Sequence, residues 1–110
     1  HVVDLAAGHV CAVERIANLH GCTALNLGTG QGYSVLQVVA AFERASGQPV
    51  PYQQVGRRAG DIATCWADPT AAQSILGWRA ERGLDEMCRD AWNWQRQNPA
   101  GYGEGGGDGA

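Results

Sequence analysis

The chain has 110 residues, one domain's worth at most, and its 45% hydrophobic and 17% charged content is that of a folded protein rather than a disordered tail. A net charge of −3 with no basic patch speaks against nucleic acid or an anionic membrane as partner, and no apolar run approaches the roughly 20 residues that cross a bilayer. All eight basic residues are Arg, so chemistry that needs a lysine (Schiff base, phosphate-loop ligand, partner of a catalytic Tyr) is excluded within this chain.

Val2 and Val3 read as the end of a strand, after which Asp4 caps a helix. Leu5, Val13, Ile16 and Leu19 recur at helical spacing, with Val10 and Ala17 beside them. Gly8 inside that helix marks a close approach to a neighbour, and Gly21 ends it in the left-handed conformation. Ala24–Leu27 reads as a short buried strand that runs into Gly28-Thr29-Gly30-Gln31-Gly32. Ser34 and Gln37 make a capping box for a second helix, with Val35, Leu36, Val38, Val39, Phe42 and Ala45 as its apolar face. Gly47 and Pro49 stop it, and residues 51–56 form another short strand.

Asp68-Pro69 starts a short helix that ends near Gly77. A last helix runs from about Leu84 to Gln97, with Leu84, Met87, Cys88, Ala91 and Trp94 or Gln95 on one side, and Asn98-Pro99 terminates it. Six of the ten residues from Gly101 onward are glycine, which reads as a flexible tail over 101–110. The expected order is helix, strand, helix, strand, helix, helix, an α/β arrangement with too few strands for a complete sheet. The start at His1, without an initiator Met or a signal sequence, reads as a piece of something longer.

Cys11, Cys22, Cys65 and Cys88 form no Cys-x-x-Cys pair and have no histidine at metal-site spacing, which argues against zinc or a redox dithiol and for reduced thiols in a cytoplasmic protein. Cys11 and Cys88 fall in helical patterns as ordinary buried residues. His9 and His20 read as packing or hydrogen-bonding groups, and the four tryptophans as core or interface anchors. The glycine-rich loop lacks the third glycine of a dinucleotide motif, where Tyr33 stands, and reads as a structural turn. In Arg57-Arg58-Ala59-Gly60-Asp61, two adjacent arginines offer bidentate donors to phosphate, Gly60 turns the backbone, and Asp61 accepts from sugar hydroxyls or orients Arg58. A solvated surface ion pair is the alternative for the same residues, and residue chemistry leaves the two open.

Several stretches in order are similar to one family. They are His1-Val2-Val3-Asp4-Leu5-Ala6-Ala7-Gly8-His9, Asn26-Leu27-Gly28-Thr29-Gly30-Gln31-Gly32-Tyr33-Ser34-Val35-Leu36, Arg57 to Asp61, Cys65-Trp66-Ala67-Asp68, Leu76-Gly77-Trp78, and Leu84 through Tyr102. Together they resemble the C-terminal portion of the UDP-glucose 4-epimerases, over residues 1–102. The resemblance implies the substrate-binding part of an extended short-chain dehydrogenase/reductase fold, with residues 1–100 gripping a UDP-sugar. The NAD-binding Rossmann domain and its Tyr-x-x-x-Lys would lie outside this chain, in an intact isomerase of galactose metabolism that acts as a homodimer. That enzyme interconverts UDP-glucose and UDP-galactose by NAD-mediated oxidation and re-reduction at sugar carbon 4, and the keto sugar must turn over between the two steps. Binding energy therefore belongs on the remote UDP.

By the same resemblance Arg58 contacts the diphosphate, Asp61 the ribose, and Cys65 lines the sugar pocket, where a small residue implies room for an N-acetyl group. No catalytic, cofactor or metal residue is carried over, and the chain alone is expected to be inactive. A related sugar-nucleotide dehydratase or decarboxylase, and a non-catalytic nucleotide-binding or structural module, are the competing readings.

Overall fold

A computed structural model describes residues 1–103. Four α-helices make up its regular structure: α1 (Val2–Arg15), α2 (Val35–Ser46), α3 (Thr70–Leu76) and α4 (Leu84–Gln97), with a short 3-10 turn at Ile16–Asn18. The expected helices are present in the expected order. Neither expected strand is, so the α/β arrangement and its helix-strand alternation are not those of the described residues. The reason is pairing: a strand exists by hydrogen-bonding to a neighbour, and no second strand lies beside 24–27 or 51–56 here. The apolar reading of 24–27 still holds in part, because Leu25 and Leu27 pack on the core.

α1 begins two residues before the expected cap. His1 is the cap: its Nδ1 accepts from the Val3 amide at 3.0 Å, which leaves Nε2 to donate to Asp90 Oδ2 at 2.7 Å on α4. Val2 and Val3 are thus helical, and Asp4 is freed for a tertiary task. Its buried carboxylate accepts the amides of Glu81 (3.1 Å) and Arg82 (2.9 Å) and the Arg82 guanidinium (2.7 Å). Its carbonyl accepts the Trp78 indole N–H at 2.8 Å. Burial alone would push the Asp4 carboxyl upward. The opposing hydrogen bonds from the Arg82 amide and guanidinium and the Glu81 amide, with the Arg82 charge, hold it below the usual carboxylate range.

The core gathers around Ala72, Leu76 and Trp78, with Cys11, Ala12, Leu19, Leu25, Leu27 and Ala80 packed against it. The inward face of α1 is therefore buried Asp4 and Gly8 with half-buried Cys11 and Ala12, whereas Leu5, Val13 and Ile16 of the expected apolar face are exposed. Hydropathy favoured the large residues, but the close partner needs small ones. A Cβ on Gly8 would stand 2.8 Å from Leu27 Cδ1 and 3.2 Å from Trp78 Nε1, the close approach that the sequence implied. α3 starts at Thr70 rather than Pro69. Asp68 still serves its first turn, accepting the Thr70 amide at 3.0 Å and the Thr70 hydroxyl. Gly77, at φ 65°, closes α3 and turns the chain so that Trp78 enters the core.

α2 packs on α4. The Ser34–Gln37 capping box is present in both directions, at 3.1 and 2.7 Å, and Gly47 ends the helix at φ 68°. Between the helices lie buried Ala41 and Cys88 and an edge-to-face pair, Phe42 and Trp92, at 6.2 Å and 79°. Arg44 reaches Asp85 at 2.9 Å. Val35, Leu36 and Val38 of the expected α2 face are exposed. At the end of α4, Tyr102 leans on Trp94 with ring centroids 5.5 Å apart; the rest of the expected tail, residues 104–110, lies outside the described residues. Among the described residues no helix is long and apolar enough to cross a membrane.

Two outcomes follow for stability. Gly8→Ala gains helix propensity but forces a methyl group against a pinned indole, so urea unfolding should show a net loss of about 1–2 kcal/mol, the cost of overpacking. Asp4→Ala should lose about 3 kcal/mol by stranding Arg82 and two amides. Because the folded Asp4 pKa is depressed, its contribution is present above the ordinary value near 3.8 and is lost as pH falls through the folded value. Asp4→Asn should accordingly flatten that acid limb of the stability profile, and an unchanged limb would refute the assignment.

Candidate functional site

Residues 50–69 form a long strap between α2 and α3, without helix or strand. Its start is tied to α2 by the Val50 amide, which donates to Glu43 Oε1 at 3.1 Å. The strap and the first turns of α2 enclose a cleft of about 1060 Å3, bounded by Val35, Leu36 and Val39 on one side and by Tyr52 through Arg58 and Gly60 through Ala63 on the other. The capping box sets the start of α2, and so decides which apolar residues face this cleft.

Arg58 to Asp61 is a tight turn. The Asp61 amide donates to the Arg58 carbonyl at 3.2 Å, and Gly60 takes φ 86°, the left-handed value for which turns use glycine at this position. The Asp61 carboxylate folds back over the turn: Oδ2 accepts the Arg58 amide at 2.9 Å and Nε at 3.4 Å, and Oδ1 lies 3.4 Å from Nη2. The arginine side chain remains 87% exposed. Asp61 therefore aims the guanidinium without covering it, and its unused donors can still take an anion. As an exposed pair it adds little to stability. Arg57 lines the same cleft.

Cys65 lies in a second, smaller cleft of about 300 Å3, bounded by Gly32, Tyr33, Ser34, Ala63, Thr64 and Trp66. Ala63 borders both clefts, so the Arg58–Asp61 turn and Cys65 lie along one continuous limb of the strap. Tyr33, Ser34 and Trp66 are members that residue chemistry did not single out. The alternation of Gly28, Gly30 and Gly32 was the available sign that something passes closely there.

The sides of Gly28, Gly30 and Gly32 on which a Cβ would stand are covered by Ala67, Pro69 and Trp66. The four cysteine thiols are free. Burial pushes the Cys88 thiol up, Asp85 adds to the effect and Arg44 opposes it, so this thiol stays protonated and unreactive. His9 uses its Nδ1 to bond the Leu5 carbonyl of its own helix at 2.8 Å. Trp78 is a core anchor, whereas Trp66 is 58% exposed. Among the described residues no group of three His, Cys, Asp or Glu side chains could hold a metal ion.

No protein-family model matches the chain. Solved structures similar to it are UDP-glucose 4-epimerases. The UDP-glucose 4-epimerase of Bifidobacterium longum, in complex with NAD+ and UDP, superposes with a TM-score of 0.84 at 49% identity over 93% of this chain and 30% of that one. The Stenotrophomonas maltophila enzyme, with bound NAD and formylated UDP-arabinopyranose, gives 0.84 and 47% over 91% and 30%. The sequence narrows the class to one enzyme: the likeness is to UDP-glucose 4-epimerase, in its C-terminal portion. Identity is 57% with the human enzyme over 103 residues, 61% with that of Bacillus subtilis over 102 and 60% with that of Drosophila melanogaster over 104. Each match takes in 93–94% of this chain, and the chain spans about 30% of the length of these relatives.

Proposed function

We propose that this chain is the UDP-sugar-gripping portion, over residues 1–100, of a UDP-glucose 4-epimerase with the extended short-chain dehydrogenase/reductase fold. The observation that carries the reading is the shared fold, at a TM-score of 0.84, with an epimerase solved in complex with UDP. Identities of 57–61% to epimerases weigh against a related dehydratase or decarboxylase. The intact enzyme, as a homodimer, interconverts UDP-glucose and UDP-galactose by NAD-dependent oxidation and re-reduction at carbon 4. This chain has no Lys for a Tyr-x-x-x-Lys pair, so it is expected to be inactive alone. Its apolar faces on α1 and α2 suit packing against the rest of such an enzyme.

The role of this portion is to hold the part of the substrate that does not react. Arg58, aimed by Asp61, gives charge-assisted hydrogen bonds to the diphosphate, and Asp61 keeps acceptor capacity for the ribose hydroxyls. Anchoring by the UDP end lets the sugar turn over without losing its place. Cys65, small and exposed in the adjoining cleft, leaves space for an N-acetyl group, so the N-acetylated pair of substrates is accepted as well.

In the intact enzyme, Arg58→Ala should weaken UDP-sugar binding by about 1.5–3 kcal/mol, as for hydrogen bonds to charged groups, measured by calorimetric titration. An unchanged Kd would remove Arg58 from the site. Cys65→Tyr should abolish activity on the UDP-N-acetylhexosamines and spare that on UDP-glucose. Equal loss on both would count against the pocket.

A further inference from the structure

The strap that carries Arg58, Asp61 and Cys65 has few internal hydrogen bonds. Among the described residues, those of 51–67 are confined to the Arg58–Asp61 turn. Something else must hold its returning limb, residues 62–67, at a defined distance from the body. The glycine turn supplies the contacts. A Cβ on Gly28 would lie 3.0 Å from Ala67 Cβ, one on Gly30 3.3 Å from Pro69 Cδ, and one on Gly32 2.8 Å from Trp66 Cε3. Three alternate glycines thus meet the residues at which the strap rejoins the fold; a methyl group would be crowded at Gly28 and Gly30 and would overlap its neighbour at Gly32.

The Gly32 contact differs from the other two. Ala67 and Pro69 lead directly into α3, and Pro69 is buried, so these contacts belong to the packing of that helix. Trp66 is 58% exposed and lies outside the core cluster. Its ring lies against Gly32 at 2.8–3.5 Å from where a Cβ would be, and its backbone neighbour is Cys65. Gly32 and Trp66 also border the Cys65 cleft directly. A large aromatic ring seated on bare backbone, half in solvent and beside the residue that sets the cleft, contributes placement more than stability.

We infer that Gly32 is a positioning residue: it seats the Trp66 indole, and through that seat the Cys65 wall of the sugar cleft is held in place. As a statement about sugar recognition this rests on the function proposed above; as a statement about Cys65 it does not. A methyl group at position 32 must displace the indole. Because the ring is largely exposed, it can swing outward while the helices stay packed, and Cys65 moves with it.

The test uses the 110-residue chain first. Alkylation of Cys65 by iodoacetamide is followed peptide by peptide by mass spectrometry, with exposed Cys22 as internal reference. Gly32→Ala should change the Cys65 rate by about threefold or more and leave Cys22 unchanged, since thiol reactivity follows local exposure. In a double-mutant cycle, adding Gly32→Ala to Trp66→Leu should change the Cys65 rate no further, because the clash is gone. Identical Cys65 rates in wild type and Gly32→Ala would overturn the inference, as would a parallel change at Cys22, which signals general loosening. In the intact enzyme, Gly32→Ala should alter the ratio of KM values for UDP-N-acetylglucosamine and UDP-glucose. A Cys65 shift without a change in that ratio supports the seat and counts against the sugar-pocket reading instead.

Discussion

The buried carboxylate of Asp4 is the constraint on which the rest of the fold depends. It ties the first turn of α1 to the segment between α3 and α4 through two backbone amides and a guanidinium, while its carbonyl holds the Trp78 indole. Residues more than seventy positions apart are thereby fixed together. A buried charge is costly unless every lone pair is answered, and here the partners come from backbone as well as side chain. Its place in the first turn of α1 also lets it meet the positive end of the helix dipole. With this anchor in place, α1, α3 and Trp78 share one core, and α4 is launched on a defined course toward α2.

The helices hold one another: α1 against α3, α2 against α4, with His1 bonding Asp90 across from α1 to α4. The strap between α2 and α3, which carries the proposed binding residues, is attached to the helices at few points. Its start is tied through Glu43 and its return lies on the glycine turn. A strap of this kind has no core of its own, and Arg58 stays exposed on it. The glycines that invite a cofactor reading are instead packed against Ala67, Pro69 and Trp66.

Much of this was legible in the residues. The capping box at Ser34 and Gln37, the glycine stops at 47 and 77, and the bounds of α4 are local signals, and each was decided within a few residues of chain. The close approach at Gly8 was legible because glycine in mid-helix has no local advantage. The tight turn around Gly60 was legible for a similar reason. Asp4 read as the cap of α1, which is His1 instead, because the partners of Asp4 lie at 81 and 82, beyond any local pattern.

The sequence by itself determined the order of the helices, the capping and stop signals of α2 and α4, and the order of landmarks of the resemblance, because these depend on near neighbours and on residue identity; the bounds of α1, Val2–Arg15 rather than Asp4 to Gly21, it did not. Tertiary structure decided three things. Residues 24–27 and 51–56 are not strands, since strands require a pairing partner, and none lies beside them among the described residues. The small face of α1 is the buried one, because the distance to Leu27 and Trp78 admits no larger side chain. And Cys65 is brought beside Gly32, Tyr33 and Ser34, because its neighbour Trp66 packs on Gly32, a glycine whose only mark in the sequence was its spacing.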